Sequence, residues 1–324
     1  MTANLVPNAP LGPLDPIAAQ IAGFFQIDPV WQGLMTRPVA ETRAAIKAGT
    51  PPGAPRELHH VEDFSVPVAG GDIGLRLYVP APGPSALVVW AHGGGFALGS
   101  IEESDGFARA LAIATGCAIA LVDYRLAPEH RFPTAVEDLL GATLWVAERQ
   151  VDLAGAVVPL FLGGDSAGAN LATVVTRKLH EAKACSIAGN ILAYPCTDNE
   201  EAPSLRAFEP PFLKLEEVLW LFDQYLPDRA ARSSLDFAPL HATNLALLPP
   251  TIIITAEHDI ITGQAEAYGS KLQAEGVDVQ VTRYAGMIHG FLTLEFFFAG
   301  AAGEGMREIS EFIKRTQAKT KAVE

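Results

Sequence analysis

Apolar and polar positions follow two different rhythms along this chain. Residues 1–50 open rich in proline and then take a helical period. Ile17, Ile21, Phe24 and Phe25 form one apolar stripe, which Val30, Leu34 and Met35 continue. Asp15-Pro16 and Asp28-Pro29 each read as an N-cap followed by proline at the first helical position, where its missing N–H costs nothing. Residues 50–55, Thr-Pro-Pro-Gly-Ala-Pro, predict a linker. Residues 61–68 and 73–79 alternate as half-buried antiparallel strands do, and Gly70-Gly71-Asp72 predicts the turn between them.

Beyond residue 86 the rhythm changes. Short unbroken apolar runs at 87–91, 118–122, 158–162, 187–193 and 251–255 are separated by helix-like segments near 103–115, 134–149, 167–183 and 214–226. A helix at 263–275, a strand at 277–284 and a helix at 304–316 complete the series. Strands without alternation bury both faces, and strand–helix repetition predicts an α/β fold, a mostly parallel central sheet flanked by helices. Residues 196–250 break this order. They form a long insertion between two strands and carry Phe208, Phe212, Leu213, Leu219, Trp220 and Phe222. Excursions of that length are usually lids or binding segments.

Composition narrows the classes. Hydrophobic residues at 49% and charged residues at 19% describe a globular chain long enough for a sizeable core. A net charge of −14 argues against nucleic acid or an anionic membrane as partner, since both select basic patches. Cys117, Cys185 and Cys196 are too few for a disulfide framework and lack metal-ligand spacing, which fits a reducing compartment. The first residues show no basic segment leading into an apolar one, and no run approaches the ~18 apolar residues of a membrane span. A cytoplasmic protein without stable membrane insertion is expected.

The chemistry centres on Gly164-Asp-Ser-Ala-Gly168, a G-x-S-x-G pattern lying between an apolar strand and a helix. That context makes it a candidate nucleophile elbow: the glycines permit a tight turn that presents the Ser166 hydroxyl at the carboxyl edge of a sheet. A serine nucleophile needs a base and the base needs a carboxylate. Of the 8 histidines, His289 lies in a glycine-flanked loop after the last strand, at the edge where doubly wound sheets keep their sites. His241, in the insertion, is a weaker rival. Asp259 directly follows the strand at 251–255, whereas Asp278 precedes its strand and lies at the wrong end; Asp198 is the alternative acid. Ser166, Asp259 and His289 stand in the order Ser…Asp…His of α/β-hydrolases. His92-Gly-Gly-Gly95, after another strand, supplies backbone N–H groups of the kind that stabilise an oxyanion.

These pieces together resemble the hormone-sensitive-lipase-like, or bacterial family IV, esterases. The resemblance runs from residue 27 onward and rests on His92-Gly-Gly-Gly-Phe-Ala-Leu-Gly-Ser100, Asp123-Tyr-Arg-Leu-Ala-Pro-Glu-His130 with Phe132-Pro133, Gly164-Asp-Ser-Ala-Gly168 and Ile288-His-Gly-Phe291. It implies an α/β-hydrolase fold with a helical cap, Ser166 as nucleophile, His289 as base and Asp259 as orienting acid. It implies an oxyanion hole from the N–H groups of Gly94, Gly95 and Ala167, with the 124–130 stretch supporting that loop. One departure is visible: family members commonly read Asp-Pro-Leu-x-Asp-Glu at the acid, whereas Asp259 is followed here by Ile-Ile-Thr-Gly-Gln264.

The expected organisation is therefore cap helices in 1–50 and a catalytic domain in 51–324, with 197–235 contributing to the cap. The two cap stretches are expected to close a mostly apolar acyl pocket over Ser166, with Phe24, Leu34, Phe208, Phe212 and Leu213 facing the substrate. The expected reaction is hydrolysis of short- to medium-chain acyl esters through an acyl-enzyme, with no metal and no cofactor. An amidase or deacetylase on the same triad stays open, because the triad does not distinguish the scissile bond. A non-catalytic small-molecule receptor is the other alternative; the plant gibberellin receptors resemble this family but lack the catalytic histidine, which this chain keeps. A homodimer also stays open.

Overall fold

The two alternating stretches pair as a hairpin in the computed structural model, which describes residues 11–49 and 56–321. Strand β1 (His60–Val68) runs antiparallel to β2 (Gly71–Val79) across a turn at Ala69-Gly70, with Gly70 at φ +83°. The turn lies one residue earlier than expected because Gly71 already pairs with Val68. The expected linker at 50–55 lies outside the described residues.

The unbroken apolar runs become β3 (Leu87–Ala91), β4 (Ala118–Asp123), β5 (Leu160–Asp165), β6 (Gly189–Ala193), β7 (Thr251–His258) and β8 (Val279–Ile288). All eight strands form one sheet in the order β1-β2-β4-β3-β5-β6-β7-β8. Only the pairings of β2 are antiparallel; from β4 to β8 every pairing is parallel. Along β3, Leu87, Val89 and Ala91 enter one core cluster, and Val88 and Trp90 enter the other. A strand that feeds two cores has no polar face to show, which explains its unbroken apolar sequence.

Two helix layers cover the sheet. On one face lie α5 (Thr134–Glu148), α7 (Ala167–Ala182) and α9 (Thr262–Ala274); on the other lie α4 (Ile101–Thr115) and α10 (Ala299–Lys321). The short α6 (Gln150–Ala154) follows α5. Strand β5 reaches further than expected and takes in Gly163 and Gly164, so Ser166 alone separates it from α7. Strand β8 likewise runs on to Ile288, with a register irregularity opposite Ala256/His258, and delivers His289 directly at its end.

Two further stretches lie over the carboxyl edge. The N-terminal one holds α1 (Pro16–Ile27), α2 (Pro29–Gln32) and α3 (Val39–Gly49). Asp15 and Asp28 accept the first free N–H groups of α1 and α2, as their Asp-Pro sequences suggest. The insertion between β6 and β7 holds α8 (Leu215–Tyr225) and three short 3-10 turns. Leu34 and Val39 from the first stretch, Leu221 from α8, and Ala97 and Leu98 from the loop after β3 share one small apolar cluster. Among the described residues no helix is long and apolar enough to cross a membrane.

Candidate active site

Ser166 sits between β5 and α7 with φ +53° and ψ −117°, a conformation that L-residues adopt only when their surroundings impose it. Its N–H donates to Ala193 O at 2.9 Å on the neighbouring strand. The flanking glycines are a steric necessity. A Cβ on Gly168 would overlap the Ala91 carbonyl, and one on Gly164 would overlap the backbone of Gly168. Sequence, turn and strand spacing thus fix one hydroxyl at the sheet edge.

A hydrogen-bonded chain leads away from that hydroxyl. Ser166 Oγ lies 3.0 Å from His289 Nε2, and His289 Nδ1 lies 2.7 Å from Asp259 Oδ2. Asp259 is 1% exposed, and its other oxygen accepts the Ile261 N–H at 3.0 Å. The Tyr194 ring packs 4.8 Å from that of His289. The unusual acid loop is held from the insertion side: Gln264 Oε1 accepts the N–H groups of Thr197 and Asp198 at 2.7 and 2.6 Å. The rival acid and the rival base pair with each other, Asp198 Oδ1 lying 2.7 Å from His241 Nε2.

The glycine loop after β3 faces the same hydroxyl. Gly94 and Gly95 have φ +111° and +60°. Together with Ala167, the first residue of α7, they line one cavity with Ser166. Among the described residues, the N–H groups of these three give none of the turn, loop and cap hydrogen bonds. The 124–130 stretch braces the loop from below: Tyr124 donates its hydroxyl to His92 O at 2.8 Å, and Ala127 N–H donates to Phe96 O at 2.9 Å. Arg43 of α3 adds a bond from Nε to Ala97 O at 2.7 Å.

The cavity measures about 260 Å³ and lies between sheet edge and cap. Leu34, Phe212 and Leu213 line it as expected, but Phe24 and Phe208 do not. Phe24 is 55% exposed and its neighbour Phe25 takes the inward position, since consecutive helical residues point about 100° apart. Phe208 is partly buried and packs instead against the core cluster on the side of the sheet that α5, α7 and α9 cover. Two lining residues that the periodicity did not single out are Trp31 and Leu221. Phe25, Trp31 and Phe212 stack into one cluster, with centroids 4.8 to 5.9 Å apart, that joins the two cap stretches. The expectation of a closed pocket is corrected as well: the cavity is partly open to solvent.

Electrostatically the buried edge is acidic. Burial pushes the Asp165 carboxyl up to about 6, although Trp90 Nε1–H donates to it at 3.1 Å. Burial also raises the Cys196 thiol to about 12, which makes it a poor nucleophile beside Ser166.

The chain is similar to several known proteins. A family described as alpha/beta hydrolase fold matches residues 88–293. Esterase LipI of Mycobacterium tuberculosis is 33% identical over 249 residues, covering 74% of this chain and 78% of LipI. Carboxylesterase NlhH of the same organism is 33% identical over 297 residues, covering 85% of this chain and 92% of NlhH. The hyperthermophilic esterase of Pyrobaculum calidifontis superposes with a TM-score of 0.85 at 34% identity, covering 94% of this chain and 99% of that one.

Proposed function

The chain belongs to the α/β-hydrolase fold family and, within it, to the hormone-sensitive-lipase-like esterases; from that premise we propose a carboxylesterase acting on short- to medium-chain acyl esters through Ser166, His289 and Asp259. The observation that carries the reading is the continuous chain from Ser166 Oγ through His289 to Asp259, at 3.0 and 2.7 Å, opening on an apolar cavity.

In this mechanism His289 Nε2 accepts the Ser166 proton as Oγ attacks the ester carbonyl. Asp259 holds the imidazole with Nδ1–H toward itself and stabilises the imidazolium. The N–H groups of Gly94, Gly95 and Ala167 receive the oxyanion, the last of them aided by the positive end of α7. His289 returns the proton to the leaving alcohol, and a water then repeats the sequence to release the acid. The N-terminal helices and the 197–235 segment serve as one cap over the acyl pocket. We further read the protein as cytoplasmic and without a nucleic-acid partner, on its net charge of −14 and its three free cysteines.

The test is kcat/KM for p-nitrophenyl esters from acetyl to palmitoyl, beside a matched p-nitroanilide. Each added CH2 should contribute up to ~0.8 kcal/mol until the pocket is full, after which the rate should fall. Faster cleavage of the anilide than of the ester would replace this reading with an amidase.

A further inference from the structure

Apart from Asp165, the cavity is lined by two carboxyls and, among the described residues, by no lysine or arginine. Glu103 comes from the first turn of α4 and Glu217 from the first turn of α8, so one belongs to the sheet domain and the other to the insertion. Each has a local task at its helix start. Glu103 Oε1 accepts the Ser100 hydroxyl at 3.0 Å, and Glu217 Oε2 accepts the Lys214 N–H at 2.7 Å. A glutamine would serve such a capping box equally well, so the task does not require a charge.

That task engages one oxygen of each carboxyl. Glu103 Oε2 and Glu217 Oε1 accept no hydrogen bond, and neither residue joins an ion pair, among the described residues. Lys47 and Lys214 attract the two carboxyls from a distance, but neither lysine lines the cavity, and Lys47 pairs with Glu102 instead. Burial holds both carboxyls above the usual range, while the two helix N-termini favour their ionised form.

We propose that Glu103 and Glu217 form a charge filter on this cavity, which admits neutral and cationic esters and rejects esters that carry a second, ionised acid group. The proposal rests on the esterase reading and specifies the substrate class within it. An anionic substituent would have to leave bulk water for a cavity lined by carboxyls, Asp165 among them, and, among the described residues, by no lysine or arginine. An ammonium would meet two unengaged carboxylate oxygens. The same repulsion speeds departure of the carboxylate product formed at Ser166. Specificity of this kind comes from a repulsive element and leaves the attractive contacts of the pocket unaltered.

The experiment compares three p-nitrophenyl esters of matched length: hexanoyl, hemiadipate and trimethylammoniobutyryl. In the parent enzyme, kcat/KM for the hemiadipate should fall about 100-fold below hexanoyl, with the cationic ester at or above it. In Glu103→Gln/Glu217→Gln, the hemiadipate-to-hexanoyl ratio measured within that variant should recover about tenfold or more. The single variants should each recover part of it, which keeps the test intact if the double variant does not fold. Glu102→Gln, on the exposed side of the same helix turn, should leave the ratio unaltered. An equal effect from Glu102→Gln would assign the discrimination to the overall charge of −14 and overturn the proposal. So would an unaltered ratio in the folded Glu103 and Glu217 variants. Calorimetric binding of the matched methyl ketones gives the same ratio without turnover. An inactive protein would thus refute the esterase reading while the filter is still measured.

Discussion

Ser166, Asp259 and His289 stand at the ends of β5, β7 and β8, on paired strands and joined by a buried and a part-buried hydrogen bond. The proposed cap above them is held differently. Its two stretches meet through partly exposed aromatics, a small buried contact of Leu34 and Val39 with Leu221 and, among the described residues, a single hydrogen bond across the seam, from Gln26 Nε2 to Pro211 O at 3.3 Å. The lower region gains precision from obligatory backbone pairing, whereas the upper gains shape from side-chain packing that can be exchanged without unravelling a sheet. On the proposed function, bond-making chemistry, which tolerates little displacement, falls to the sheet edge, and selection among acyl groups, which tolerates variation, falls to the cap.

The sharpest way to break this division is at the acid. Asp259→Asn should reduce kcat by on the order of 10⁴-fold through the wrong His289 tautomer, with the fold intact by circular dichroism. Asp198→Asn should change it by less than about threefold, because Asp198 pairs with His241 instead. Reversed magnitudes would move the acid into the insertion and erase the division.

A smaller effect concerns what the rigid edge costs in stability. The Asp165 carboxyl lies near 6 in the folded protein against 3.8 when exposed, so between those values the folded state binds more protons. Stability therefore falls as pH rises from about 4 to about 6, by up to about 3 kcal/mol for this one group. Asp165→Asn should remove that part of the decline, read from urea midpoints at several pH values. An unaltered pH slope would contradict the assignment.

The smallest effect belongs to the cap. Phe25→Ala or Phe212→Ala should lower kcat/KM on the hexanoyl ester by about tenfold while changing the acetyl ester by less than about threefold. Equal losses on both esters would mean that the aromatics hold the catalytic edge and not the acyl chain.

The same division explains what could be read in the sequence. The edge was legible because its geometry needs particular residues: Gly164 and Gly168 where a Cβ would strike backbone, glycines where φ is positive, and acid and base directly after strands. The altered acid loop hid its support, since the Gln264 clasp on Thr197 and Asp198 spans more than sixty residues. In the cap, the stripe on α1 was visible but its phase was not: a shift of one residue exchanges Phe24 for Phe25. Phe208 lies outside regular structure, where no period indicates which way a ring faces. Sheet order was equally hidden, because nothing local places β4 between β2 and β3.

The most direct test of the central claim is stoichiometric labelling with a p-nitrophenyl alkylphosphonate, followed by peptide mass spectrometry. One phosphonyl group per chain should appear on the peptide carrying Ser166, with activity lost in proportion, and Ser166→Ala should take up none. Labelling at another residue, or full activity after Ser166 is modified, would contradict the account.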